Sequence, residues 1–299
     1  MKEKLLGKTP EELREVALKC GLPAFTGKQI AQWMYVKRVR SIDDMTNISK
    51  PGREKLAGMY DLGVSLPIGS AVSSDGTAKY LFKVDENDTA VEAVVIPDAD
   101  RKTLCVSSQS GCKMGCKFCM TGRQGFHGNL SAADILSQYI AVDEAESLTN
   151  TVFMGMGEPL DNYENLLKFI QMLTDEHGLN ISQRNITVST CGLVDKIKAF
   201  ADEDLGVTLA LSLHAADDET RKKLMPIAKK YALKDVLEAC DYYFKKTGRR
   251  VSFEYSLGKD VNSNEQEAKK LAALLKGKNC HVNLIPVNPV KEREFETVS

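Results

Sequence analysis

Gly111-Cys112-Lys113-Met114-Gly115-Cys116-Lys117-Phe118-Cys119 places three cysteines within eight residues of one glycine-bearing stretch. Three thiolates at this spacing, all on one loop, suit three corners of a cubane iron–sulfur cluster and leave the fourth iron without a protein ligand. An iron with an open corner binds a small molecule and passes it an electron, where a four-cysteine cluster usually stores or relays electrons. Zinc is the alternative. Structural zinc takes four ligands, usually as two C-x2-C pairs, and only Cys116 and Cys119 form such a pair, so Cys105 or His127 would have to complete the set. Free core cysteines fit a polar, glycine-bearing loop poorly.

Outward from this loop, the chain from Arg101 onward repeats strand, loop and helix. The expected strands are 102–108, 151–156, 185–190, 207–213, 250–257 and 281–287, each an apolar or β-branched run. The helices between them carry readable cores. Ser131-x-x-Asp134 caps one, and Leu166, Phe169, Ile170 and Leu173 stripe the next. Leu233, Val236, Leu237, Cys240 and Phe244 stripe another, and Ser263-x-x-Gln266 caps the last. Cys20, Cys240 and Cys280 read as core packing. Six βα units in sequence imply an α/β fold with a parallel sheet, either doubly wound or curled as an incomplete barrel. In both, ligands gather at the C-terminal edge of the strands.

The unusual residues do fall just after the expected strands. The cysteine loop follows the first and Met154-Gly155-Met156-Gly157-Glu158-Pro159 the second, where glycines admit a ligand to the backbone and a glutamate accepts from an ammonium group. Ser189-Thr190-Cys191-Gly192, Ser212-Leu213-His214-Ala215 and Pro286-Val287-Asn288-Pro289 follow the third, fourth and sixth. Ser189, Ser212 and Asn288 supply hydroxyls and an amide suited to a ribose, a carboxylate or an adenine edge, although each also reads as a turn or cap.

The first sixty residues read as a small helical module. Thr9-Pro10-Glu11-Glu12 is a capping box followed by Leu13, Val16, Ala17 and Cys20, with Gly21 as the stop. A second helix from about Gly27 sets Ile30, Trp33 and Met34 on one face and ends in Lys37, Arg38 and Arg40. Residues 65–100 read as short strands with turns at Ser74-Asp75-Gly76 and Glu86-Asn87-Asp88. The resulting division is a helical domain over 1–62, a β-rich connector over 63–100 and the α/β domain over 101–299.

Bulk composition adds bounds. The 299 residues are 43% hydrophobic and 27% charged, with a net charge of −1, which is ordinary for a globular protein and neutral on a nucleic-acid partner. No signal-peptide core and no membrane-spanning apolar run stands out, so the expectation is a cytoplasmic protein with no membrane association and with reduced cysteines. Basic groups cluster at Lys37, Arg38 and Arg40, at Arg221, Lys222 and Lys223, at Lys229 and Lys230, and at Lys245, Lys246, Arg249 and Arg250. Such clusters are usually solvated faces.

Joined together, these strings resemble the radical S-adenosylmethionine superfamily, and more closely the RlmN-like RNA adenine methyltransferases. The matching strings are Thr103-Leu104-Cys105-Val106-Ser107-Ser108-Gln109, the cysteine loop, Gly157-Glu158-Pro159-Leu160, Ser212-Leu213-His214-Ala215 and Asn283-Leu284-Ile285-Pro286-Val287-Asn288. Gly27-Lys28-Gln29-Ile30, Trp33 and Met45-Thr46-Asn47 extend the match into the helical module. The resemblance implies a partial (βα)6 barrel in which Cys112, Cys116 and Cys119 ligate a 4Fe–4S cluster. It implies that Gly157, Glu158, Ser189, Ser212, Leu213, His214 and Asn288 contact S-adenosylmethionine, and that a 5′-deoxyadenosyl radical drives methylation at adenine C2. It assigns Cys105 to the resolution of a covalent RNA–protein adduct and Glu92 to proton acceptance. Glu92 lies inside Val91-Glu92-Ala93-Val94-Val95-Ile96, so it is either exposed at an edge or buried with a raised pKa, and burial would suit a base. The implied substrates are ribosomal and transfer RNA. The implied electron donor is a flavodoxin or ferredoxin, and the implied state is a monomer.

Family members carry a further essential cysteine in a C-terminal string like Ala-Cys-Gly-Gln, which is absent from the residues up to Ser299. The expectation is that the chain as given binds cluster and S-adenosylmethionine without completing methyl transfer. Three rival readings remain at this point: methylation at adenine C8, a glycyl-radical activase, and a non-catalytic RNA-binding protein with zinc.

Overall fold

Thr9 opens the first helix as the capping box requires: its side chain accepts from the Glu12 amide and the Glu12 side chain accepts from the Thr9 amide, with Pro10 at the first helical position. In this computed structural model, residues 2–84, 89–176, 178–259 and 261–286 are described. The chain divides into two units, one of residues 1–108, 129–151 and 164–183 and the other of residues 109–128, 152–163 and 184–299.

The first unit begins with the helical module. Leu5, Leu13, Val16, Ala17, Ile30, Met34 and Tyr35 form its core, and Cys20 is buried with them. The expected second helix is split. An α-helical piece Thr26–Ala31 runs into a π-helical turn Gln32–Val36, which turns both Met34 and Tyr35 inward. Tyr35 then donates to the Lys8 carbonyl and accepts from the Gly7 amide. Trp33 is displaced to a half-buried position, with the Lys37 ammonium 3.6 Å from its ring centroid.

Four antiparallel strands follow, Pro67–Val72, Ala78–Lys83, Ala90–Asp98 and Arg101–Cys105. Period-two alternation turns Ala78, Tyr80, Phe82, Val91, Ala93 and Val95 inward and leaves Lys79, Leu81, Lys83 and Glu92 outward. The turn at Ser74-Asp75-Gly76 forms as expected, with Asp75 accepting from the Thr77 amide and Gly76 at φ +85°. The turn expected at Glu86-Asn87-Asp88 lies outside the described residues. Helix Ala132–Ile140 starts on the Ser131–Asp134 capping box, and Leu166, Phe169, Ile170 and Leu173 are all buried on the helix Tyr163–Thr174.

The second unit holds the parallel strands. Ile186–Thr190, Thr208–Ser212, Val251–Leu257 and Cys280–Pro286 pair in succession, and Val152 and Phe153 lie beside the first of them. Strand order follows chain order with no switch point. That is the order of a curled βα barrel, not of a doubly wound sheet, and it settles the choice the sequence leaves open. Helices Val194–Asp202, Asp218–Leu224, Leu233–Thr247 and Glu265–Leu275 connect the strands.

Two local expectations shift. The last helix is capped by Asn264, which accepts from the Glu267 amide, and not by Ser263. On Leu233–Thr247 it is Tyr243, not Phe244, that is fully buried, because its hydroxyl reaches the Val207 carbonyl at 2.8 Å and its ring stacks on Phe200. Cys240 is buried as expected, whereas Cys280 is only half-buried. No helix among the described residues is long and apolar enough to cross a membrane.

Candidate active site

The cysteine loop is closed at its neck by backbone alone. Gln109–Gly111 and Phe126–Asn129 pair as a small ribbon, and the Cys112 amide donates to the Gly125 carbonyl at 2.8 Å. Gly111 sits at φ +71°, and a Cβ there would lie 1.9 Å from the Gly125 oxygen, so only glycine closes this neck. Farther along, the Cys119 amide donates to the Cys116 carbonyl and the Lys117 amide donates to the Leu224 carbonyl. The loop is therefore shaped before any ligand arrives.

Cys112, Cys116 and Cys119 line one cavity of about 240 Å³, together with residues from the ends of the parallel strands. Burial pushes the Cys112 thiol up to about 11 and the Cys116 thiol up to about 12, so near neutrality both ionise only as a metal displaces the proton. Among the described residues, no group of three or more His, Cys, Asp or Glu side chains is gathered to hold a single metal ion. A cubane asks for a different arrangement, one thiolate for each of three irons around a shared volume, and three cysteines on the wall of one cavity fit it. His127 is exposed, with its Nε2 against the Gln124 carbonyl.

A polar lattice ties this loop to the glycine-glutamate turn. Gln109 donates through Nε2 to Asp161 and accepts through Oε1 from the Glu158 amide, both at 2.8 Å. The Lys113 ammonium lies 2.8 Å from the same Asp161 carboxylate. Gly157 stands at φ +99°, and a Cβ there would lie 2.5 Å from the Gln109 Cβ. The Glu158 carboxylate is buried and divided between two loops, with Oε1 accepting from the Leu160 amide at 3.1 Å and Oε2 from the Cys191 amide at 2.8 Å. Burial raises its pKa, and these amide donors oppose the rise.

Ser189, Ser212 and His214 line the same cavity. Leu213 does not; its side chain is fully buried and its amide donates to the Glu254 carbonyl. His214 is a non-glycine residue at φ +55°, held there by Asn262 Nδ2 on its carbonyl at 2.7 Å and by the Ser256 amide on its Nδ1 at 2.9 Å. That acceptor role leaves the ring proton on Nε2. Phe118 meets the imidazole edge-on, with centroids 4.5 Å apart. Burial, helped by the Arg221 charge, lowers the His214 pKa to about 3.

The unfolded chain therefore takes up a proton near pH 6.5 that the native state refuses until about pH 3. The contribution of His214 to native stability is present above pH 6.5 and is lost as the pH drops through that window, by up to about 1.4 kcal/mol per pH unit. Urea unfolding followed from pH 7 to pH 4 should show this slope, and His214→Asn should flatten it by one proton. An unchanged slope in the variant would contradict the assignment.

Three residues of the cavity region escaped sequence reasoning. Glu254 lines the cavity and accepts from Ser252 Oγ and Asn283 Nδ2, both at 2.8 Å. Its signal was available, a carboxylate at period two in the apolar run Val251-Ser252-Phe253-Glu254-Tyr255. Asp161 gave no such signal. Arg221 was grouped with the surface cations Lys222 and Lys223, yet it is 0% exposed. The helix it belongs to, Asp218–Leu224, turns it inward while its two neighbours face solvent.

The two remaining site residues belong to the first unit. Cys105 is opposite Val94 in the antiparallel register, so it shares a sheet face with Glu92, two residues away along the neighbouring strand. Glu92 realises the exposed arm of its alternative, because an outward strand position sets its carboxylate 3.2 Å from the Lys79 ammonium. Asn288 lies outside the described residues.

Comparison with known proteins gives two family matches. The model of the radical SAM superfamily matches residues 106–272, and that of the ribosomal RNA large subunit methyltransferase N-terminal domain matches residues 3–61. A relative from Lachnoclostridium phytofermentans, described as "Probable dual-specificity RNA methyltransferase RlmN", is 50% identical over 96% of this chain and 82% of its own length. A relative of the same description from Clostridium perfringens is 48% identical over 98% of this chain and 85% of its own. The crystal structure of a radical SAM methyltransferase from Sphaerobacter thermophilus superposes with a TM-score of 0.94 at 40% identity, covering 99% of this chain and 89% of that one.

Proposed function

The chain belongs to the radical SAM superfamily and, within it, to the RlmN-type RNA methyltransferases, and from that premise we propose that its residues supply the cluster site and the S-adenosylmethionine cleavage for methylation at C2 of an adenine in 23S ribosomal RNA and in transfer RNA. The observation that carries the reading is the cavity walled by Cys112, Cys116 and Cys119 on one side and by Glu158, Ser189, Ser212 and His214 on the other. When bound, the 4Fe–4S cluster supplies the electron that cleaves S-adenosylmethionine to a carbon radical, which an electron-poor adenine carbon requires. The chain's own residues bind, orient and shield. The three cysteines hold the cluster, and Gly157 brings backbone close to the amino acid end of the cofactor. Ser189, Ser212 and the Nε2 proton of His214 offer polar partners, with Asn288 as a further amide. Phe118, Phe153, Met114 and Met225 keep water out.

On the sheet face of the first unit, Glu92 serves as proton acceptor and Cys105 as the thiol that resolves the RNA adduct. Residues 1–62 serve as an RNA-binding accessory domain, 63–100 as a β-rich connector and 101–299 as the catalytic barrel. A flavodoxin or ferredoxin as electron donor, a monomeric state and a cytoplasmic location complete the reading. The family match disfavours the zinc-protein alternative.

Anaerobic reconstitution with iron and sulfide, followed by dithionite and S-adenosylmethionine, tests this reading. We expect a brown protein absorbing near about 400 nm that releases 5′-deoxyadenosine. A colourless protein that retains zinc and releases no nucleoside would overturn it.

A further inference from the structure

Arg221 is fully buried and its guanidinium faces main-chain carbonyls. Nη2 donates to the Cys191 carbonyl at 2.8 Å and to the Ser212 carbonyl at 3.3 Å, and Nε donates to the Leu213 carbonyl at 3.3 Å. Nη1 is buried with no hydrogen-bond partner. Among the described residues, no carboxylate forms an ion pair with it; Asp218, on the same helix, accepts from the Leu233 amide instead. A buried cation with no carboxylate paired directly to it is expensive, and carbonyl dipoles with the Asp218 charge offset only part of that cost.

The place of this charge is informative. Cys191, whose carbonyl Arg221 holds, lines the cavity with the three loop cysteines. Cys116 and Phe118 pack against the buried group of Cys191, Ala215, Leu224 and Met225, and the last two flank the C-terminus of Arg221's own helix. Lys117 is fastened to the Leu224 carbonyl. The guanidinium thus stands behind the wall of the cavity on which the cluster would sit.

We propose that Arg221 is the built-in counter-cation of the iron–sulfur cluster and holds its reduction potential up. The proposal rests on the cluster reading given above. A cubane held by three thiolates is anionic, and it gains a further negative charge on accepting an electron. A fixed positive charge in low dielectric stabilises the reduced form more than the oxidised one, so it eases the electron transfer on which the reaction depends. Arginine suits this role better than lysine because it stays protonated when buried while its fork satisfies three carbonyls. Arg221 is therefore a positioning residue with an electrostatic function, and it touches no substrate.

The test compares the reconstituted wild type with Arg221→Lys and Arg221→Gln by iron and sulfide content, and by a potentiometric titration read from the paramagnetic signal of the reduced cluster. In Arg221→Gln the ratio of reduced to oxidised cluster at a fixed potential should fall by about tenfold or more, a shift of about 59 mV to more negative potential. Arg221→Lys, which keeps a cationic side chain but holds its proton less firmly when buried, should fall between the wild type and Arg221→Gln. A wild-type potential in iron-loaded Arg221→Gln overturns the proposal, as does a Lys variant that shifts as far as the Gln variant. Loss of fold in both variants also overturns it and makes Arg221 a structural clasp. A wild-type chain that takes up no iron removes the cluster reading itself, which separates the two failures.

Discussion

Serine at Cys112, Cys116 or Cys119 is expected to abolish 5′-deoxyadenosine formation, a loss of roughly a thousandfold or more, equivalent to about 4 kcal/mol of barrier. Iron content should fall with it. The substitution changes one atom in a half-buried side chain, so the loss comes from coordination chemistry and not from unfolding. A hydroxyl is a far poorer ligand to iron than a thiolate, and a cubane held at two corners exchanges readily. The fold should survive because the loop is shaped by backbone: the Cys112 amide on Gly125, the Lys117 amide on Leu224 and the glycine neck at Gly111. Circular dichroism and the unfolding midpoint should therefore stay near the wild type while the absorbance of the cluster disappears. Cys240→Ala is the control, since Cys240 is buried on the helix Leu233–Thr247 and lines no part of the cavity. A serine variant that keeps its iron, or a control that loses it, would show that the ligands are elsewhere.

The chemistry was more legible in the sequence than the electrostatics. Strands read true because each is a short apolar run ended by a polar turn, and the rule that ligands gather at their C-terminal ends then placed Glu158, Ser189, Ser212 and His214 around one cavity. Three thiols in one loop narrowed the choice to an iron–sulfur cluster or zinc, and the match to the radical SAM superfamily favours the cluster. Glu92 was harder. A carboxylate in an apolar run reads the same whether it points in or out, and only the register that sets it across from Leu81 and beside Lys79 decides. Arg221 was misread for a related reason: in Arg221-Lys222-Lys223 three cations look alike, and which one turns inward depends on the phase of a short helix. The pairing of Glu254 needed the neighbouring strand, because its partner Asn283 is 29 residues away in the chain. Tertiary pairing, not local pattern, chooses among such alternatives.

Glu158→Ala should lower the unfolding midpoint by about 10 °C and remove measurable S-adenosylmethionine binding. The size follows from what the carboxylate holds. Its two oxygens accept from the Leu160 and Cys191 amides, and both acceptors vanish together in a site only 3% exposed. Each stranded buried amide costs about 1–3 kcal/mol, and the emptied volume adds to that. Cofactor binding should fail because the two loops so joined carry Gly157 on one side and Cys191, two residues after Ser189, on the other. Glu158→Gln separates two roles for the side chain. If Glu158 clasps the loops, the glutamine amide must point one N–H toward a backbone N–H, and stability should fall by about 1–3 kcal/mol along with affinity. If the carboxylate instead serves only to receive the ammonium group of the cofactor, Glu158→Gln should leave the unfolding midpoint unchanged and weaken binding alone. The geometry favours the clasp, since both oxygens are already engaged by amides fixed in the fold.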